Sequence, residues 1–163
     1  MNSSTTDQRF ADTAALANWY YGHKVTVAIA NTQEKTANGN PLIARIGQTD
    51  WTDKTIDATL ADPAAQATVF ALAGEVTEKV TYDDLSGTVH VGDKVGSVML
   101  KQDGTKIAVM DLVADEEGSG PNPIEWLLVK LDRLGRRIDN RPLTAESETI
   151  AKRPRCRLGE HYI

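Results

Sequence analysis

The sequence predicts a mainly β protein: an antiparallel β-sandwich with a helix at its N-terminal end and an amphipathic helix near its C-terminal end. Three observations carry this. Between Lys24 and Val113, short runs rich in Val, Ile and Thr alternate apolar and polar residues, with no helical period between them. Two of these runs flank Asp103-Gly104, a pair suited to a type I′ hairpin because both central residues need positive φ. On either side of this region the apolar residues recur at three and four instead. Many short strands at close spacing argue for a sandwich rather than a parallel α/β sheet.

In chain order, residues 8–21 read as the first helix. Asp7 is placed to cap it, Phe10, Ala14, Leu16, Ala17, Tyr20 and Tyr21 approximate one face, and Gly22 is a stop. From Lys24 to Ile29 the period becomes two, and Asn38-Gly39-Asn40-Pro41 marks a turn. Further strands are expected at Leu42–Ile46, Thr55–Leu60, Thr68–Leu72, Val76–Tyr82, Lys94–Leu100 and Lys106–Val113, each bounded by glycine, proline or acidic clusters. Glu116 to Pro123 is a linker rich in Gly and Pro.

After the linker Ile124, Leu127, Leu128, Leu131, Leu134 and Ile138 form an apolar stripe with Trp126 beside it, and Lys130, Arg133, Arg136 and Arg137 lie mainly on the other side. Residues 139–163 are polar and proline-broken, and are expected to be poorly ordered. The chain thus divides into a helix (1–22), a β-sandwich (23–117), a linker with an amphipathic helix (118–138) and a basic tail (139–163).

Composition narrows the function. The 163 residues carry a formal net charge of −5, against a general nucleic-acid binder. The charge is uneven: residues 1–129 hold 9 basic and 18 acidic side chains, and residues 130–163 hold 9 basic and 5 acidic. No apolar stretch approaches the ~20 residues that span a bilayer. The opening Met1-Asn2-Ser3-Ser4-Thr5-Thr6-Asp7 has neither the basic start nor the apolar core of a secretory signal. Cys156 is the single cysteine, so neither an internal disulfide framework nor a cysteine-rich zinc site is possible.

The residues offer no catalytic constellation. No serine has a lysine three residues on, the spacing that lets an amine activate a hydroxyl on one helical face; Ser97 and Lys101 are four apart in a strand. Ser-x-Asn is absent, and Lys35-Thr36-Ala37 only approaches Lys-Thr-Gly. His23, His90 and His161 are scattered, and Asp50/Asp53, Asp83-Asp84 and Asp115-Glu116-Glu117 fit turns and solvated linkers. Gly92-Asp93-Lys94-Val95-Gly96 lacks the Gly-Lys-Ser/Thr end of a phosphate loop. Cys156 sits between two arginines in the tail. No cofactor or metal is expected.

Particular words in the sequence then become informative. Val89-His90-Val91-Gly92-Asp93-Lys94-Val95-Gly96-Ser97-Val98, Gln102-Asp103-Gly104-Thr105-Lys106-Ile107 and Asp111-Leu112-Val113-Ala114 resemble the end of the β-rich C-terminal domain of low-molecular-mass penicillin-binding proteins, the serine D-alanyl-D-alanine carboxypeptidases. Asp111 stands where that family usually has proline. Upstream, Ser3 to Tyr21, with Arg9-Phe10-Ala11-Asp12-Thr13, looks like the last helix of the family's catalytic domain. Downstream, Pro123 to Ile138 resembles the amphipathic helix by which many members lie on the outer face of the cytoplasmic membrane. The three stretches occur in the family's order over about residues 3–138.

The resemblance implies a non-catalytic domain, because all three catalytic motifs of the family lie N-terminal to the helix matched here. Such a β domain holds a catalytic domain at a distance from the membrane, toward peptidoglycan, and the implied location is the cell envelope. Trp126, Leu127, Leu128, Leu131 and Leu134 would then enter the headgroup boundary while Arg133, Arg136 and Arg137 meet anionic lipid, at ~1 kcal/mol per basic residue near the surface. Phe10, Leu16, Trp19 and Tyr20 would be covered by a catalytic domain or by another copy of the chain. The alternatives are a homo-oligomeric structural or binding module unrelated to cell-wall enzymes and, last, a hydrolase with an atypical site.

Overall fold

The computed structural model describes residues 3–151. In chain order they form α1 (Ser3–Gly22), β1 (Lys24–Ala28), β2 (Ala44–Gly47), β3 (Thr55–Leu60), β4 (Gln66–Phe70), β5 (Val76–Tyr82), β6 (Lys94–Gln102), β7 (Thr105–Ala114), α2 (Pro123–Ile138) and β8 (Glu148–Thr149). The fold is mainly β and its strand pairs are antiparallel. A six-stranded sheet has the order β5-β6-β7-β3-β2-β8, and β1 and β4 form a two-stranded ribbon. The sheet curls until its two edges approach, and the Tyr82 hydroxyl on β5 meets the Thr149 hydroxyl next to it on β8. The result lies between a sandwich and a nearly closed barrel.

Alternation explains the core. Along β6, Val95, Val98 and Leu100 are buried while Ser97, Met99 and Lys101 are only partly so. Ile46, Ile56, Leu60 and Leu112 join them from β2, β3 and β7, and Ile29, Ala67 and Val69 close the core from the ribbon side. The hairpin joining β6 to β7 turns at Asp103 (φ 47°) and Gly104 (φ 76°), as the sequence predicts for a type I′ turn. Gly96 is needed for a different reason: a Cβ there would run into the Thr81 carbonyl of the adjoining strand.

Two expectations are corrected. The first helix begins at Ser3 rather than residue 8, so Asp7 lies inside it and is no cap. The second correction concerns residues 139–151, expected to lack order and to lie outside the β domain. After α2 the chain returns to the sheet: β8 pairs with β2, the Ile150 and Ala151 N–H groups donate to the Ile43 carbonyl (2.8 and 3.0 Å), and Ala151 is buried in the core. The remainder of the tail, with Cys156 and His161, lies outside the described residues.

The strands give the molecule two poles. At one, the β6–β7 turn lies beside the ribbon: the Gln102 side chain donates to the Phe70 carbonyl (2.6 Å) and accepts from the Phe70 N–H (3.0 Å), copying a strand pair. Here α1 joins the body. At the other lie the β2–β3 loop, the β5–β6 loop and the linker, joined by the Val89–Gly118 bridge and the Trp51 Nε1–H bond to the Ser119 carbonyl (2.9 Å). Here α2 is seated. The ten residues of β7 separate the poles by about 30 Å at ~3.3 Å per residue.

Candidate functional site

The strongest feature is α2, whose ends are specified by the sequence. Asn122 caps it: its side-chain oxygen accepts from the Ile124 and Glu125 N–H groups (3.0 and 2.9 Å), and Glu125 returns a bond to the Asn122 N–H (2.9 Å). Pro123 follows as the first helical residue, where its missing N–H costs nothing. At the far end Asn140 takes φ 56° and the Arg141 N–H bonds the Arg136 carbonyl (2.9 Å), which closes the helix and reverses the chain.

The face that α2 turns to the body is the polar one. Val129 is its one buried residue among the described ones. Residues four and seven further on share that face. The Arg133 guanidinium donates to the Thr49 carbonyl of the β2–β3 loop and, through Nε, to the Leu143 carbonyl (3.2 Å). The Arg136 Nε–H donates to Asp132 (2.7 Å). The Thr52 hydroxyl, and after it Arg136, hold the Asp132 carboxyl below its ordinary range.

The opposite face is the leucine stripe, and it is bare. Leu127, Leu128, Leu131 and Leu134 are 56–59% exposed, and Ile124 and Ile138 are 74% and 81% exposed. Each such side chain, being partly covered already, gives up on the order of 1–2 kcal/mol relative to full burial. A contiguous apolar surface of this kind marks an interaction site. Trp126 borders the stripe with Lys130 over its ring at 4.0 Å, and Arg137 is exposed near the same border. Of the residues that the sequence assigned to a membrane surface, Trp126, Leu127, Leu128, Leu131, Leu134 and Arg137 therefore share one exposed region. Arg133 and Arg136 do not: they face the β body, because they lie on the Val129 side of the helix.

The other assigned group, on α1, is at the opposite pole. Trp19 and Tyr20 are about half exposed and rest on Phe70, with ring centroids 5.9 and 5.2 Å apart. Lys24 Nζ lies 4.8 and 5.0 Å from the rings of Tyr20 and Tyr21, and the His23 Nδ1 atom is 2.6 Å from the Trp19 carbonyl. Phe10 and Leu16, further along the helix, are 71% and 65% exposed. The helix thus touches the body through its last turn and projects from it.

The polar clusters have structural uses. The Thr36 hydroxyl of Lys35-Thr36-Ala37 donates to the buried Asp115 carboxylate, which also accepts from Asn40 (2.9 Å), so this trio ties the 36–40 turn to the end of β7. Glu116 caps the Asp57 N–H (2.8 Å), and exposed His90 sits 3.0 Å from Glu117. Lys94 pairs with Asp111 across β6 and β7 (2.7 Å), and this bond first of all raises the lysine's pKa. Ser97 and Lys101 share a strand face about 13 Å apart at ~3.3 Å per residue, too far for proton transfer. Two shallow clefts, of about 280 Å³ beside Thr149 and about 200 Å³ along Glu116 to Ser119, are both lined without a histidine. Among the described residues no group of three or more His, Cys, Asp or Glu is arranged to hold a metal.

The sequence reading missed the segment between Leu143 and Ala151 that passes beside α2. Its only signal is the β-branched Thr149-Ile150 pair. No protein-family model and no curated protein matches this chain.

Proposed function

We propose that the chain is a non-catalytic β domain of the D-alanyl-D-alanine carboxypeptidase type, which stands a catalytic partner off a membrane surface at the cell envelope. One observation carries this reading: the two uncovered apolar regions lie at opposite poles of a stiff β body. The leucine face of α2 suits the headgroup boundary of a bilayer, where an amphipathic helix lies in the plane with its apolar side down. Lys130 and Arg137 beside it are free to meet anionic lipid. The α1 pole, with Trp19, Tyr20, Phe10 and Leu16, is then the surface on which a catalytic domain sits. Sheets cross-linked by hydrogen bonds around one core make a spacer that transmits orientation. The residue resemblance supplies the enzyme class, and the polar arrangement supplies the mechanical role.

The test is co-flotation of the full chain with vesicles containing anionic lipid at low salt. The unaltered protein is expected to float with the vesicles and the double variant Leu128→Asp/Leu131→Asp to remain in solution. Equal flotation of both, or of neither, overturns the reading. A stable dimer that the same variant dissociates, without lipid binding, replaces it by a homo-oligomeric module.

A further inference from the structure

An amphipathic helix beside an apolar core normally buries its apolar stripe. The helix α2 does the reverse, so its roll must be held by something other than hydrophobic burial. We infer that the returning segment, residues 140–151, is an orienting strap, and that Arg133 is the positioning residue where strap, helix and β2–β3 loop meet. The apolar face of α2 is thereby turned outward by the protein's own backbone, before anything covers it. This concerns the free protein and does not depend on what the face binds.

The strap is anchored independently of the helix. Besides the β8–β2 pairing, the Ser147 hydroxyl accepts the Gly47 N–H (3.0 Å), and Ala151 enters the core. Gly47 on β2 lets the strap pass: a Cβ there would run into the Ala145 carbonyl and backbone. From Asp139, the helix cap, to Ala145 is six steps, at most about 20 Å of chain. Within that short leash the Leu143 carbonyl accepts one arm of Arg133 while Thr49 accepts the other. A guanidinium presents several donors in a fixed plane, so two carbonyls on different segments define its direction. Rolling the leucines inward breaks both bonds at once.

The experiment is done without lipid on the full chain in a Cys156→Ser background, with Leu131→Cys as a thiol probe of the outward face. With Arg133 and Gly47 intact, the thiol reacts at the rate of an exposed cysteine. Gly47→Ala, which expels the strap without touching α2, and Arg133→Ala are each expected to slow labelling about fivefold as the helix rolls inward. Gly47→Ala also accelerates amide exchange of residues 143–151 by roughly tenfold, while β3, β6 and β7 exchange as before. Arg133→Lys, with a single point donor, is expected to fall between. The inference is overturned if the strap opens and labelling is unchanged, if Gly47→Ala leaves strap exchange as it was, or if the core strands open together with the strap. Failure here leaves vesicle binding untouched, and loss of vesicle binding leaves this result untouched.

Discussion

The two helices make opposite use of the same body. The last turn of α1 rests two aromatic rings on Phe70, and the rest of the helix projects, with Phe10 and Leu16 in solvent. By contrast, α2 has a capping box, a left-handed closing residue, a guanidinium shared between two segments and one buried valine. Neither covers its apolar residues, yet one helix is barely attached and the other is fixed. The difference teaches that exposure alone does not define a site. A face held outward by specific polar contacts has a set direction, whereas the face of a projecting helix is simply left in solvent.

This contrast can be broken or sharpened by substitution. The largest effect is expected in the body that both helices share: Leu112→Ala, at a fully buried position, should cost about 2–5 kcal/mol in denaturant unfolding. Leu16→Ala on α1 should change the same midpoint by less than about 0.5 kcal/mol, since an exposed side chain leaves no cavity. A cost at Leu16 comparable with that at Leu112 would mean that α1 packs on the body in solution. An effect between these two tests the fixation of α2: Asn122→Ala removes the acceptor of two N–H bonds and should cost about 1 kcal/mol. If unfolding is unchanged, the helix is not coupled to the fold, and the contrast between the helices disappears.

Much of the fold was legible in the residues because strand periodicity is local. Thr55–Leu60, Val76–Tyr82 and the Asp103-Gly104 turn stand where alternation and turn chemistry put them, and Pro123–Ile138 was bounded by its linker and its stripe. β8 was not legible, since two residues carry no period and its pairing with Ala44 and Arg45 is a contact across a hundred positions. The start of α1 was misplaced because Asp7 resembles a cap wherever it falls. For the candidate site, periodicity identified which residues of α2 share the apolar face but not which face meets the body. Arg133 looked like surface charge, and only the Thr49 and Leu143 carbonyls reveal it as an inward anchor, while Arg136 is tied to Asp132 of its own helix.

The central claim is that one pole of this β body meets a lipid surface while the other stands clear of it. An environment-sensitive dye on Leu134→Cys, compared with the same dye on Leu16→Cys in a Cys156→Ser background, reads this directly through quenching by brominated lipids. The account predicts strong quenching at residue 134 and none at residue 16, which belongs to the helix at the other pole. Equal quenching at both positions, or quenching at residue 16 alone, would contradict it.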